Sequence, residues 1–369
     1  MGAEAAARRF SAPTTIIAGL GSLARAGELL RGLGDGRVAV VCDRGVAAAG
    51  LLETVKAAAA GEPLFECALV DADPSFEVAA ELVDEARAAG CERVLGVGGG
   101  SGLGAAKAVA LGLANPEPLA ELEGVGVASR PAAPCLAIPT TAGSGSEVSN
   151  AFVLKRTGGG PTQAIVRGPG YEPRVALLDG QVLRELPERP MLFAGLDALS
   201  HALEALWANG RSRFTDALAR AAAAQILDAL PVALAERRDP DLQTLIEASA
   251  MANLACGSAG LGLAHALSAA SAVRLPHGYQ NGVLLPHVAA FNREQVNPVD
   301  RDDLLDRLPG LYEEVGFEAR FAAEELDADA VEAMVAAALE HPFRANNARA
   351  ADADDLRALL RSAGAGADS

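Results

Sequence analysis

The sequence predicts a two-part protein, with an α/β half over residues 1–187 followed by an all-helical half over residues 188–369. Its 369 residues are too many for one ordinary core and suit about two domains of roughly 150 residues each. In the first half, short β-branched strands alternate with helices, the pattern of a parallel sheet with right-handed crossovers. Beyond Pro187 the strand patterns disappear and helices with apolar stripes follow.

The elements of the α/β half are short apolar runs between turn residues. Residues 37–42 form a β-branched run that ends at Asp43, and a helical, alanine-rich stretch follows over 46–60. The alternation continues with a strand around 64–70, a helix over about 75–90, and strands over 93–97 and 135–138. Helices are predicted in the second half over residues 191–210, 212–235, 241–272, 301–316 and 328–341.

The composition is that of a globular, acidic protein. With 50% hydrophobic and 21% charged residues, it excludes a disordered chain. The net charge of −17 and the absence of a basic block argue against nucleic acid as a partner. Five scattered cysteines without a C-x-x-C pair indicate a reducing cytoplasm rather than disulfides or a thiolate metal site. We find no signal-peptide pattern and no uninterrupted apolar run of about 18 residues, so no membrane partner is expected.

A glycine-rich turn follows the third predicted strand and opens a helix that carries Lys107. The turn contains Gly98, Gly99 and Ser101. Glycine lets the backbone approach a phosphate closely, and a helix N-terminus offers unpaired N–H groups to hold it. The turn matches neither a Walker loop nor the usual dinucleotide fingerprint. A purely structural tight turn is the alternative.

Two further features stand at strand ends, where open α/β sheets bind ligands. A loop with hydroxyl side chains follows the fourth strand and contains Thr140, Thr141 and Ser144; alternatively, it caps a helix that begins near Glu147. Asp43 ends the first strand, where a carboxylate accepts hydrogen bonds from ribose hydroxyls and repels a 2′-phosphate. Asp43 is equally well placed to cap the helix that follows it.

Four residues of the helical half form a candidate metal site. Asp197 and His201 are four positions apart, so both side chains project from one helix face. The chain has only five histidines, and His265 and His277 lie in one very apolar segment. Three histidines and an aspartate form a ligand set that suits a divalent ion such as Fe²⁺ or Zn²⁺. The alternatives are a surface Asp/His pair and histidines buried for packing.

The remaining candidate groups have structural interpretations. We interpret His287 as a structural residue at a helix start and expect His341, which precedes Pro342, at the surface. The cysteines are interpreted as packing groups, since none neighbours a base in sequence. Ser144 lacks the strand, elbow and helix context of a serine nucleophile.

Together these motifs resemble those of the iron-containing (group III) alcohol dehydrogenases, a family that includes the maleylacetate reductases. The matching stretches keep their order along nearly the whole chain. They are 98–101 with Lys107, 139–147, 197–204, 276–278, 284–288 and 291–292.

The resemblance implies a dehydroquinate synthase-like architecture, in which a Rossmann-like domain binds NAD(P), a helical domain carries the metal, and catalysis takes place in the cleft between them. It implies four protein ligands for the ion, namely Asp197, His201, His265 and His277. For the cofactor it implies pyrophosphate contacts from Gly98, Gly99 and Ser101, further contacts from Thr140, Thr141 and Ser144, and selection of NAD over NADP by Asp43. The metal in such a site stabilises alkoxide character on the substrate oxygen while a hydride passes to or from the nicotinamide.

Three departures from the family pattern mark the reacting end of the pocket as atypical. Gly104 stands where the dehydrogenases usually have Asp, as in the maleylacetate reductases, although those reductases usually lack the metal-binding aspartate matched here by Asp197. Ala269 stands where the family commonly has a second histidine, in a segment shortened by two residues. The Lys that is usual in the strand after the Thr-Thr loop is absent, with Gln163 nearby.

These inferences favour a metal- and NAD-dependent reductase or dehydrogenase of a small aldehyde, ketone or alcohol, working as a homodimer. Arg274, three residues before His277, suggests an acidic substrate, because a guanidinium binds a carboxylate or phosphonate bidentately. An exposed loop arginine is the alternative. Two other functions stay open at this point: a metal-dependent lyase or isomerase, and a non-catalytic NAD-binding protein on the same fold.

Overall fold

The computed structural model describes residues 7–156, 163–270, 273–322 and 324–365. The described residues form two compact units. Of these residues, one unit contains those within 13–194 and 232–250, and the other contains 7–12 and those within 195–231 and 251–365. The division of the two functional halves at residue 187 stays a prediction.

The first unit is built on two sheets. Within the described residues, the strands are β1 (Thr15–Ala18), β2 (Arg37–Cys42), β3 (Leu64–Glu66), β4 (Cys91–Gly98), β5 (Gly124–Val125), β6 (Cys135–Pro139), β7 (Ala151–Lys155), β8 (Gln163–Arg167) and β9 (Val175–Leu178). The larger sheet is parallel, in the order β1-β9-β6-β4-β2-β3, and the smaller has the order β5-β8-β7. β4 and β6 are buried along their length except at Glu92, as expected for central strands of a parallel sheet.

The strand order places a ligand site at one point of the larger sheet. β2 pairs with β3 on one side and with β4 on the other, so the direction of chain progress reverses between β2 and β4. Open α/β sheets bind ligands beyond the carboxyl ends of the strands at such a reversal. Asp43 follows β2 directly, and Gly98 is the last residue of β4.

Helices make up the rest of the regular structure. Those of the first 187 residues are α1 (Ala26–Gly32), α2 (Arg44–Ala48), α3 (Leu51–Ala58), α4 (Phe76–Ala88) and α5 (Gly100–Ala114). The later ones are α6 (Glu188–Trp207), α7 (Arg213–Glu236), α8 (Asp239–Ala259), α9 (Leu263–Ser268), α10 (His277–Asn292), α11 (Pro298–Asp303), α12 (Leu308–Glu314), α13 (Ala328–Glu340), α14 (Pro342–Asn346) and α15 (Ala353–Ser362). The described residues beyond 187 contain no strand, so the predicted fold class is confirmed.

Several predicted elements differ in their bounds. The stretch 46–60 forms two helices, because Gly50 has a left-handed φ of 80° between α2 and α3. The predicted helix 241–272 is likewise broken at Gly260, whose φ is 78°, between α8 and α9. The strand predicted around 64–70 is β3, which already ends at Glu66. Strands β1 and β9 and the smaller sheet were not predicted, since runs of two to five residues carry little periodicity.

α7 is the one described helix that is long and apolar enough to cross a membrane by length and composition. Half of its most apolar window is buried inside the protein, and Pro231 lies within the helix. Such burial is typical of a core helix in a globular protein.

Candidate metal and nucleotide sites

The four predicted metal ligands lie together in the second unit. α6 presents Asp197 and His201 one turn apart, α9 presents His265, and His277 begins α10. The ligand atoms of Asp197, His201 and His265 all lie within 4.8 Å of one another, and these three side chains are buried. The structure therefore brings together residues from three helices.

The separations between these groups fit one divalent ion. The Nε2 atom of His265 lies 3.6 Å from Asp197 Oδ1, and the Nε2 atom of the half-exposed His277 lies 4.0 Å from the same oxygen. Ligands bound at about 2.0–2.2 Å to a tetrahedral ion are about 3.4 Å apart. The nitrogen and oxygen donors suit Fe²⁺ or Zn²⁺. The alternative of a surface Asp/His pair does not hold, because Asp197 and His201 are buried.

The ring nitrogens that face away from the cluster also have neighbours. Glu204 Oε2 lies 2.7 Å from His265 Nδ1, and Asn253 Nδ2 lies 3.5 Å from His201 Nδ1. Such neighbours fix the orientation and tautomer of a ligating imidazole. Glu204 ends the stretch 197–204 that resembles the family pattern. No role was assigned from the sequence to Glu204 or to Asn253.

Asn281 is a further residue that sequence reasoning missed. Its amide nitrogen donates to Asp197 Oδ1 at 2.7 Å and lies 3.0 Å from the Nε2 atoms of His265 and His277. The hydroxyl of Ser268 donates to its amide oxygen at 2.7 Å. Asn281 stands one helical turn after His277 on α10, and that spacing was the only available signal.

The electrostatics of the cluster follow from burial and from its two carboxylates. Burial opposes ionisation of Asp197, but the charges of His201 and the other histidines and a hydrogen bond with His265 hold its pKa well below the usual range. Burial lowers the pKa of His201 to about 4. Although burial opposes it, hydrogen bonds with Asp197 and Glu204 raise the pKa of His265 to about 9. The cluster thus holds an ionised carboxylate and attracts positive charge.

The predicted nucleotide residues lie together in the first unit. Gly98 ends β4 and Gly100 begins α5, so the glycine-rich turn leads directly into the helix N-terminus. The backbone N–H of Thr140 donates to Gly98 O at 3.0 Å, which sets the loops after β4 and β6 side by side. A Cβ added at Gly100 would lie 3.1 Å from Ser144 Cβ. This closely packed pair of loops suits a phosphate held by backbone N–H groups.

Asp43 contacts the glycine-rich turn. Its carboxylate accepts a hydrogen bond from the backbone N–H of Gly99 at 2.9 Å and another from Gly102. Burial raises the pKa of Asp43, and these two hydrogen bonds oppose the shift. Asp43 occupies the N-cap position of α2, but its side chain makes no capping hydrogen bond there. The alternative that it caps the following helix is therefore wrong, because the side chain turns to the start of α5 instead.

Family comparisons identify both halves of the chain. A model described as iron-containing alcohol dehydrogenase matches residues 13–180, and a model of the C-terminal region of the Fe-containing alcohol dehydrogenase family matches residues 191–364. The chain belongs to the iron-containing alcohol dehydrogenase family.

Individual relatives agree with this assignment. The probable alcohol dehydrogenase EutG of Salmonella typhimurium is 33% identical over 375 residues, covering 97% of this chain and 95% of the relative. An NAD-dependent methanol dehydrogenase of Bacillus methanolicus is 32% identical over 288 residues, covering 77% and 75%. The solved iron-containing alcohol dehydrogenase of Thermococcus thioreducens is 29% identical with a TM-score of 0.86, covering 96% and 99%. The predicted family, enzyme class and cofactors, NAD and a divalent metal ion, are confirmed.

The departures of this alcohol dehydrogenase from the family pattern lie at several places. Gly104 is buried within α5, and Ala269 is the C-cap residue of α9. Residues 271 and 272 of the shortened segment lie outside the described residues. Arg274 is exposed just before α10, as the loop alternative expected. Gln163 begins β8, and its side chain lies outside the described part.

Three other side chains of this family member have structural contacts. Ser101 Oγ accepts a hydrogen bond from the backbone N–H of Asp73 at 3.0 Å. His287 lies inside α10, and its Nε2 atom is 2.9 Å from Ala319 O. His341, expected at the surface, is partly exposed and is the N-cap residue of α14.

Proposed function

We propose that this chain transfers a hydride between NAD(H) and a small alcohol, or the corresponding aldehyde or ketone, at a site built on Asp197, His201, His265 and His277. The observation that carries the proposal is the buried cluster of the first three ligands, with His277 4.0 Å from the same carboxylate. Membership of the iron-containing alcohol dehydrogenase family supports the assignment.

When bound, the metal polarises the substrate oxygen as a Lewis acid, and NAD(H) accepts or supplies the hydride. The carboxylate of Asp197 supplies the charge among the four ligands that offsets the ion. Burial lowers the pKa of His201 to about 4, which favours the neutral imidazole that binds metal. Asn281 orients Asp197 by donating a hydrogen bond to its Oδ1 atom.

In the nucleotide site, we assign the pyrophosphate contacts to Gly98, Gly99 and Ser101. The place of this turn, directly between the end of β4 and the start of α5, supports this role. Further cofactor contacts are assigned to Thr140, Thr141 and Ser144. We assign the choice of NAD over NADP to the charge of Asp43.

The substrate is a small molecule, and three finer features belong to the proposal. Arg274 would favour an acidic substrate, and its exposed position before His277 leaves the guanidinium accessible. The five cysteines are free and buried, which supports a reducing cytoplasm. A homodimer stays a prediction.

The test is an assay of purified protein after removal of metal and reconstitution with Fe²⁺ or Zn²⁺. We expect the absorbance of NADH to change with a panel of small alcohols and aldehydes only when metal is restored. Full turnover in chelator-treated, metal-free protein would overturn the metal assignment. For the acidic substrate, Arg274→Ala should raise KM for carboxylate-bearing aldehydes and leave KM for neutral ones unchanged. A KM for carboxylate-bearing aldehydes that is the same in wild type and variant would remove Arg274 from the site.

A further inference from the structure

Glu204 is a completely buried carboxylate beside the metal cluster. It stands seven residues after Asp197 on α6, so it lies on the same helix face as Asp197 and His201. Its Oε2 atom lies 2.7 Å from His265 Nδ1 and accepts a hydrogen bond from Gly262 N at 3.0 Å. Its Oε1 atom accepts a hydrogen bond from Ala264 N at 2.7 Å.

These contacts fix the start of α9. The N-cap residue of α9 is Gly262, which has no side chain with which to cap the helix. Glu204 takes over that task from α6, since its carboxylate accepts hydrogen bonds from backbone N–H groups that a helix start leaves unpaired. A Cβ at Gly262 would lie 3.0 Å from Glu204 Oε1, so glycine allows this close approach. The position of His265 on α9 therefore depends on Glu204.

The same carboxylate decides which ring nitrogen of His265 can bind a metal. A carboxylate only accepts hydrogen bonds, so Nδ1 of His265 must carry the proton in this contact. Nε2, which faces Asp197 at 3.6 Å, then keeps its lone pair in the neutral ring. We propose that Glu204 is a positioning residue that prepares the metal site, by holding His265 in the orientation and tautomer that bind through Nε2. This proposal rests on the metal ligands proposed above.

The test compares cobalt binding to the full chain and to Glu204→Gln. Glutamine has nearly the same shape, but only one of its two terminal atoms accepts hydrogen bonds. Either His265 Nδ1 or Ala264 N–H then faces an amide N–H₂ group, so the tautomer or the helix start is lost. We expect the Kd for Co²⁺ to rise by about 10- to 100-fold and the visible ligand-field spectrum to change.

Two further variants make the result specific. Asp300→Asn changes another buried carboxylate of the same unit, which pairs with Arg220, and should leave the Co²⁺ affinity and spectrum unchanged. Glu204→Asp keeps the carboxylate on a side chain that is one methylene shorter, so an intermediate Co²⁺ affinity is expected. If Glu204→Gln does not fold, Glu204→Asp takes its place in the comparison. A folded Glu204 variant with wild-type affinity and spectrum overturns the proposal. If the unmodified chain itself binds no Co²⁺, the proposed metal ligands fail instead.

Discussion

The carboxylate of Asp43 accepts a hydrogen bond from the backbone N–H of Gly99 at 2.9 Å. This bond joins the ends of β2 and β4, the two strands between which the direction of chain progress across the sheet reverses. It places a negative charge at the start of α5. A cofactor phosphate that approaches this helix end meets N–H donors and a carboxylate together. The position at which a phosphate can bind is therefore restricted.

From this arrangement we expect NAD to bind more tightly than NADP. A 2′-phosphate close to the partly desolvated carboxylate should cost about 1–3 kcal/mol. Asp43→Asn removes the charge but keeps an oxygen that can accept from Gly99 N–H, so it should narrow the ratio of the two affinities by about tenfold. Calorimetric titration of both cofactors into both proteins measures this ratio. An unchanged ratio would show that Asp43 only holds the glycine-rich turn and does not select the cofactor.

Gly98 should tolerate no side chain, whereas Gly104 should. A Cβ at Gly98 would overlap the carboxylate of Asp43, while a Cβ at Gly104 would lie 3.7 Å from Phe152 Cβ, an ordinary contact. Gly98→Ala should lower the free energy of unfolding by about 1–3 kcal/mol and weaken NAD binding. Gly104→Ala is the matched control and should gain up to about 1 kcal/mol from helix propensity. Urea unfolding and NAD titration distinguish the two; equal losses in both variants would refute the assigned overlap.

Much of this site could be predicted from residue types and spacing, and the rest could not for a physical reason. The interval between Asp197 and His201 is one helical turn, so a shared face was predictable. The contact of Glu204 with His265 joins residues 61 positions apart, and that of Asn281 with Asp197 joins residues 84 positions apart. No periodicity encodes such pairs.

Removal of the Asp197 carboxylate should empty the metal site. Asp197→Ala leaves three neutral imidazoles and no ligand charge to offset the ion, so metal retained after dialysis should fall sharply and turnover with it. His287→Gln alters a histidine of α10 that contacts Ala319 O, and it serves as the control with full metal content. Elemental analysis of the dialysed proteins gives the answer. Full occupancy and unchanged turnover in Asp197→Ala would show that the ligand set is wrong.

Ala269 affects how the proton that accompanies hydride transfer can pass between the substrate oxygen and solvent. It is the C-cap residue of α9 with helical angles, φ −76° and ψ −5°, so it lies on the helix face of His265 one turn later. A methyl group cannot pass a proton between the substrate oxygen and solvent. We therefore expect the pH profile of kcat to lack the inflection at about pH 6.5 that a catalytic imidazole imposes. Such an inflection in the wild-type enzyme, if it persisted in His287→Gln, would contradict this expectation.

Ala269→His tests the same position in the opposite direction. The added ring should introduce an inflection in the pH profile of kcat at about pH 6.5, because an unperturbed imidazole titrates there. We also expect the ring to occupy space beside the reacting carbon, so kcat/KM should rise for small aldehydes and fall for branched ones. The ratio of kcat/KM between a small and a branched aldehyde measures the effect independently of how much protein is active. If neither substrate class responds, position 269 does not face the reacting carbon, and the match of this shortened segment to the family pattern is mistaken.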